Sequence, residues 1–172
     1  MAEKINIIKC PKCGTIIGPN ENLRQNIETD HNWALPINIG DPKKTIYSIL
    51  GNPTGGMDGI DWFTNSGMSI GYDSFDNVSF IHLQGPVHKK EVIPYLTEVI
   101  YGLKISDMLD RFIEVLGEST STNKPDCNKS SKKYSWYKRP YVITADFWTK
   151  DITIDGQTGE AGSLRYLQIE KM

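Results

Sequence analysis

The chain is poor in cysteine, in net charge and in long apolar runs. Its cysteines are Cys10, Cys13 and Cys127, three among 172 residues, which is no disulfide framework and fits a reducing compartment. Lys and Arg number 19 against 21 Asp and Glu, a formal charge of −2. The chain therefore lacks the basic excess with which dedicated nucleic-acid binders hold phosphates. No apolar stretch approaches the roughly 18 residues of a membrane span. Met1-Ala2-Glu3-Lys4-Ile5-Asn6 is not the basic-then-apolar opening of a secretory signal. These absences argue against a secreted disulfide scaffold, a membrane protein and a dedicated nucleic-acid binder, and the expected location is the cytoplasm. What is present is enough for a core: 38% hydrophobic and 10% aromatic residues in a length typical of one domain.

Charge is unevenly spread. Residues 41–85 carry Lys43 and Lys44 against Asp41, Asp58, Asp61, Asp73 and Asp76. Residues 124–150 carry seven basic residues against Asp126 and Asp146. The simpler account is two solvated faces. The sharper one is an acidic surface for a partner.

An internal repeat is the most informative feature. Ile37–Gly51 aligns without a gap on Leu103–Gly117, matching Asp41 to Asp107, Ile46 to Phe112, Tyr47 to Ile113, Leu50 to Leu116 and Gly51 to Gly117. Each copy reads as a short amphipathic helix. Asp41 is placed to cap the first, with Pro42 at the first helical position, and Ser106 or Asp107 to cap the second. Leu109, Phe112, Ile113 and Leu116 form a core stripe at helical spacing, and Gly51 and Gly117 end the two helices.

Strand-like runs follow each helix: Ile60–Phe63, Gly67–Tyr72 and Val78–Leu83 after the first, and Tyr134–Tyr137, Tyr141–Trp148, Ile152–Ile154 and Leu164–Ile169 after the second. Phe80 matches Tyr166 in pattern, and Trp62 matches Trp136 in order of elements. Asp155-Gly156 predicts a tight hairpin turn, whereas Gly51–Gly59 reads as a flexible loop. The expected fold is α+β: two tandem helix-then-antiparallel-meander units, 35–85 and 86–172, sharing one sheet with the helices on one face. A small Cys-x-x-Cys extension, 1–34, precedes them, and the whole forms a single compact domain.

The run Gly40-Asp41-Pro42…Ile49-Leu50-Gly51-Asn52-Pro53, followed by Trp62 and a meander, resembles the SmpA/OmlA and β-lactamase-inhibitor type of unit. The resemblance covers Leu35–Leu83 and again Tyr101–Ile169, with Ser119 standing where the second copy would carry proline. It implies a helix packed on an antiparallel sheet. The inhibitor proteins carry the unit in tandem, and similar tandem-unit proteins are encoded beside bacterial toxins as immunity proteins. The missing lipoprotein signal departs from the outer-membrane members and from their envelope role.

Motifs for chemistry are sparse. Cys10-Pro11-Lys12-Cys13-Gly14 has the spacing of half a zinc site. His31, Asp30 or Cys127 could complete a structural Zn at Cys10/Cys13, and two free thiols are the plainer alternative. Asp58/Asp61 and Asp73/Asp76 sit in loop-like sequence and read as solvated turn residues, while His82, in a strand, reads as structural. No nucleophile signature is present. The expected function is therefore non-catalytic: an immunity protein that occludes the active site or substrate surface of a basic toxin. Aromatic anchors would come from Trp62, Tyr72, Tyr137 and Trp148, and acidic steering from Asp58, Asp61, Asp73 and Asp76. The alternative is a zinc-knuckle protein or enzyme associated with nucleic acid through the basic, aromatic stretch Lys124–Arg139.

Overall fold

A computed structural model describes residues 33–87, 92–95, 97–122 and 130–172, with the backbone alone at 8–9, 16–17 and 121–122. The contact pattern divides the chain into Met1–Trp33 and Ala34–Met172. In the first unit, strands β1 (Ile8–Lys9) and β2 (Ile16–Ile17) pair antiparallel. Cys10, Cys13, Asp30, His31 and Cys127 lie outside the described residues, so the proposed metal ligands have no structural account.

In the second unit, helix α1 spans Lys43–Leu50 and buries Ile46, and helix α2 spans Leu109–Leu116 and buries Phe112 and Leu116. Both stop at a glycine in positive φ, Gly51 at 81° and Gly117 at 80°, whose N–H returns to the carbonyl of Tyr47 or Ile113. A side chain at that φ is strained, which is why glycine ends both helices.

The expected caps are corrected. Pro42 and Met108 occupy the capping positions, and neither helix has a side-chain cap. The Asp41 carboxylate instead accepts the backbone N–H of Asn38 at 2.7 Å, and Asp107 that of Lys104 at 2.8 Å. The Lys43 N–H is taken by the Asp76 carbonyl at 2.8 Å. A tertiary contact thus supplies what the side chain was expected to supply.

The main sheet is antiparallel throughout, in the order β3-β4-β5-β6-β14-β11-β10-β9. One side is β3 (Gly55–Met57), β4 (Ile60–Phe63), β5 (Met68–Tyr72) and β6 (Val78–Gln84). The other is β9 (Ser121–Thr122), β10 (Ser131–Lys138), β11 (Tyr141–Trp148) and β14 (Leu164–Lys171), and the two sides meet at β6–β14. A hairpin of β7 (Glu98–Ile100) and β8 (Leu103–Lys104) leads into α2, and another of β12 (Ile152–Ile154) and β13 (Gln157–Gly159) joins β11 to β14. The second turns at Asp155-Gly156, with φ of 50° and 82°, the two positive angles such a turn requires.

Gly55–Met57 is a correction: the stretch read as a loop is the edge strand β3. Glycines gave no strand signal there, and pairing with β4 supplies the order instead.

Both helices cover the same face. Ile46, Phe63, Met68, Ile70, Ile81 and Leu83 are buried under α1, and Phe112, Trp136, Ile143, Ala145, Phe147, Leu167 and Ile169 under α2. Trp136 Nε1 donates to the Gly117 carbonyl at 2.8 Å, tying the end of α2 to β10. Among the described residues of this unit, the other face of the sheet carries no helix.

Candidate functional site: an uncovered sheet face with an acidic corner

Cross-strand register fixes which side chains share the uncovered face, because neighbours in register point the same way. One row reads Met57, Ile60, Gly71, Phe80, Glu170, Val142, Tyr137. The next reads Gly55, Trp62, Ser69, His82, Gln168, Thr144, Ser135. A third holds Gln84, Tyr166, Asp146 and Lys133. Glycines make room for the rings. A Cβ on Gly55 would lie 2.9 Å from Trp62 Cε3, and one on Gly71 would run into the Phe80 ring. Trp62 and Phe80 therefore lie flat on the strands beside them.

One corner of this face is apolar and acidic. The β3–β4 turn carries Asp58, and the β5–β6 turn carries Asp73, Phe75 and Asp76. The two turns are adjacent, since Tyr72 N–H donates to the Gly59 carbonyl at 2.9 Å. Met57 is 63% exposed, Trp62 41% and Phe75 82%, large values for apolar side chains carried by neighbouring strands and turns. Asp73 Oδ1 accepts the N–H groups of Phe75 at 2.8 Å and Asn77 at 3.0 Å. Hydrogen bonds from Asn77 and Phe75 hold its carboxyl below the ordinary value, so it is charged at neutral pH. Asp76 stands at φ 60°, a conformation Asp tolerates better than most residues.

The expected anchors divide. Trp62 and Tyr137 lie exposed on the uncovered face, with four strands between them. Trp148 lies on that face too but is only 8% exposed, under the Arg165 guanidinium at 5.3 Å. Tyr72 and Asp61 point the other way, toward α1. Trp62 and Trp136, matched by order of elements, point to opposite faces; register pairs Phe63 with Met68 and Trp136 with Ile143, so Phe63 is the residue placed like Trp136. Phe75 and Met57 were missed by sequence reasoning. Phe75 sat inside a polar turn and Met57 inside a glycine run, and neither pattern marks a surface anchor.

Asp61 belongs to a polar cluster beneath α1. Lys43 Nζ lies 3.1 Å from Asp61 Oδ2, and Tyr47 OH donates to the same oxygen at 2.7 Å. Lys43 Nζ also sits over the Tyr72 ring, 4.6 Å from its centroid. Burial pushes the Tyr72 hydroxyl up, and the charge of Asp61 adds to it; burial and the bond to Asp61 likewise raise Tyr47. Burial works against the Lys43 charge, but its hydrogen bonds to Asp61 and Tyr47 leave it above the ordinary value. Asp61 thus fastens Lys43 and Tyr47 of α1 to the sheet, while the Tyr72 hydroxyl is buried without a hydrogen-bond partner and its ring carries the Lys43 charge. The upper end of the cluster holds the acidic corner: Lys43 N–H donates to Asp76, Val78 N–H to the Asp41 carbonyl at 2.9 Å, and Gly40 N–H to the Val78 carbonyl at 2.7 Å.

The opposite corner of the face is cationic. Arg165 Nη1 meets Asp146 Oδ2 at 2.9 Å and Ser131 Oγ at 3.3 Å. Lys133 Nζ and the Arg165 guanidinium flank the Tyr166 ring at 5.7 and 5.8 Å. His82 stacks on that ring at 4.7 Å. Burial lowers its pKa, with Arg165 and Lys133 adding to the shift. Among the described residues no group of three or more His, Cys, Asp or Glu is placed to hold a metal, and no helix is long and apolar enough to cross a membrane. No family model, no curated protein and no solved structure matches the chain.

Proposed function

We propose that the chain is a non-catalytic inhibitor, an immunity protein acting in the cytoplasm, that docks on a basic toxin through the corner formed by Met57, Trp62 and Phe75 with Asp58, Asp73 and Asp76. The observation that carries this reading is the conjunction of large exposed apolar side chains with a rim of carboxylates on one edge of an uncovered sheet. Exposed aromatic anchors in a charged rim are the ordinary anatomy of a protein interface. Carboxylates steer encounter with a basic partner. Tyr137 extends the face on the far side, while Asp61, Tyr72 and Trp148 serve as its internal supports.

We infer further that 35–85 and 86–172 descend from one duplicated helix–meander unit. Two eight-residue helices with the same glycine ending, the same Asp41/Asp107 backbone contact and two meanders joined at β6–β14 support it. So does the junction register, which is symmetric about His82↔Gln168: Phe80 faces Glu170 as Tyr166 faces Gln84. A zinc-bearing extension is the second reading, because β1 and β2 bracket Cys10 and Cys13; metal analysis of the purified chain tests it.

The deciding experiment is co-purification of the tagged chain with the product of its neighbouring gene, paired with growth rescue. A stoichiometric complex and rescue, both lost in Phe75→Asp, are expected. A harmless neighbour that does not bind would overturn the reading.

A further inference from the structure

The uncovered face is polarised along one diagonal. Strand directions place the turns holding Asp58, Asp73 and Asp76 at one end of β3–β6. They place Lys133 and Arg165 at the other end of β10 and β14. Between them lie Ile60, Phe80 and Val142 in one row and Trp62 in the next. Arg165 spends one charge on Asp146; Lys133 has that same carboxylate directly opposite, so the corner keeps a net positive charge, with His82 neutral above its lowered pKa.

We propose that this face is self-complementary and that two copies of the chain pack face to face on it. A two-fold axis parallel to the two sheets, midway between them and along the other diagonal, brings the acidic corner of each copy over the cationic corner of its mate. The strands of the two sheets then cross near a right angle, one of the two ways sheets stack. Self-complementarity is what a closed dimer demands of a surface: each corner is used twice, and no free sticky edge remains. Strands spaced about 4.8 Å and rising about 3.3 Å per residue give a right-angle overlap on the order of 400–500 Å² per copy, below the roughly 800 Å² per partner of a standard interface and of the size of a weak, concentration-dependent contact.

This dimer stands apart from the inhibitor reading, though the two share a face: a toxin would have to displace the second copy. The test is sedimentation of the full chain over a concentration series at low and high salt. A dimer that weakens with salt is expected. Asp58→Lys with Asp76→Asn, and separately Lys133→Glu, should each raise the dissociation constant at least about tenfold. Asn keeps the left-handed position of Asp76. Mixing the two variants should restore the dimer in part, because the mixed pair keeps one unaltered acidic–cationic contact that neither variant has with itself. Folding is checked by circular dichroism, and Lys133→Gln replaces Lys133→Glu if the latter does not fold. A chain that stays monomeric to about 100 µM at low salt, or a dimer indifferent to these substitutions, overturns the proposal. Dimerisation without any toxin complex would sink the inhibitor reading and leave this one standing.

Discussion

The two helices lie on the same face of one sheet and are fastened by different chemistry. Under α2, Phe112 meets Phe147 edge-on at 5.1 Å and leans on Trp136 at 6.1 Å, while Tyr134 meets Phe147 at 5.8 Å. Under α1 the matching places hold Lys43, Tyr47, Asp61 and Tyr72, where α2 and its strands have Leu109, Ile113, Tyr134 and Phe147. An aromatic cluster tolerates small shifts because dispersion has no direction. The polar cluster does not, since each bond has a fixed length and angle. The rigid fastening lies on the side whose turns carry Phe75 and Asp76. The lesson is that direction is invested where a surface loop has to be held in place, and bulk where only a core has to be filled.

The comparison can be broken most forcefully at the apolar side. Phe112→Ala should cost about 3–5 kcal/mol, the range for deleting a fully buried ring, read by urea unfolding. Asp61→Ala should cost about 1–3 kcal/mol, because it leaves Lys43 and Tyr47 without their acceptor. If Asp61→Ala proves the costlier, the assignment of bulk to α2 and direction to α1 is wrong. Grafting the α2 set onto α1, as Lys43→Leu, Tyr47→Ile, Asp61→Tyr and Tyr72→Phe together, should leave stability unchanged or raise it, as replacing a buried ion pair by packed apolar groups often does. The same graft should blur the amide signals of residues 73–77 in NMR.

Between the two halves sits His82, whose depressed pKa sets a third test. A base with a lowered folded pKa favours the neutral form in the native state. Its contribution is complete above the unfolded value near 6.5 and is lost as pH falls below it, at a slope of at most about 1.4 kcal/mol per pH unit. His82→Gln should remove that slope from the pH dependence of unfolding, and an unchanged slope would assign the titration elsewhere. A last test lies at the Trp136 tether. Trp136→Phe loses the bond to the Gly117 carbonyl, about 1 kcal/mol, together with the packing of the part of the buried indole that phenylalanine does not replace. At α1 the same place is already phenylalanine, Phe63, so Phe63→Leu should disturb packing and no hydrogen bond.

Local signals carried much of this architecture. The boundaries of β4, β11 and β12 match the apolar runs Ile60–Phe63, Tyr141–Trp148 and Ile152–Ile154, and the stops at Gly51 and Gly117 follow from glycine alone. Less was legible at the site. Asp58, Asp73, Asp76, Trp62 and Tyr137 were picked out as surface residues and lie exposed, yet Phe75, the most exposed large hydrophobic side chain among the described residues, carries no mark in a polar turn. Asp61 and Tyr72 looked like surface residues and face α1, because a period of two tells which residues share a face but not which face is covered.

The sequence by itself determined the helices, their glycine stops, most strands and the Asp155-Gly156 turn, all of which rest on backbone preference and short-range periodicity. Only the tertiary structure decided that β3 joins the sheet, that the Asp76 carbonyl takes the place of a side-chain cap at α1, and which carboxylates stay at the surface and which turn inward. Those outcomes depend on pairing register and on contacts between residues distant in the chain, and neither is written in any local run of amino acids.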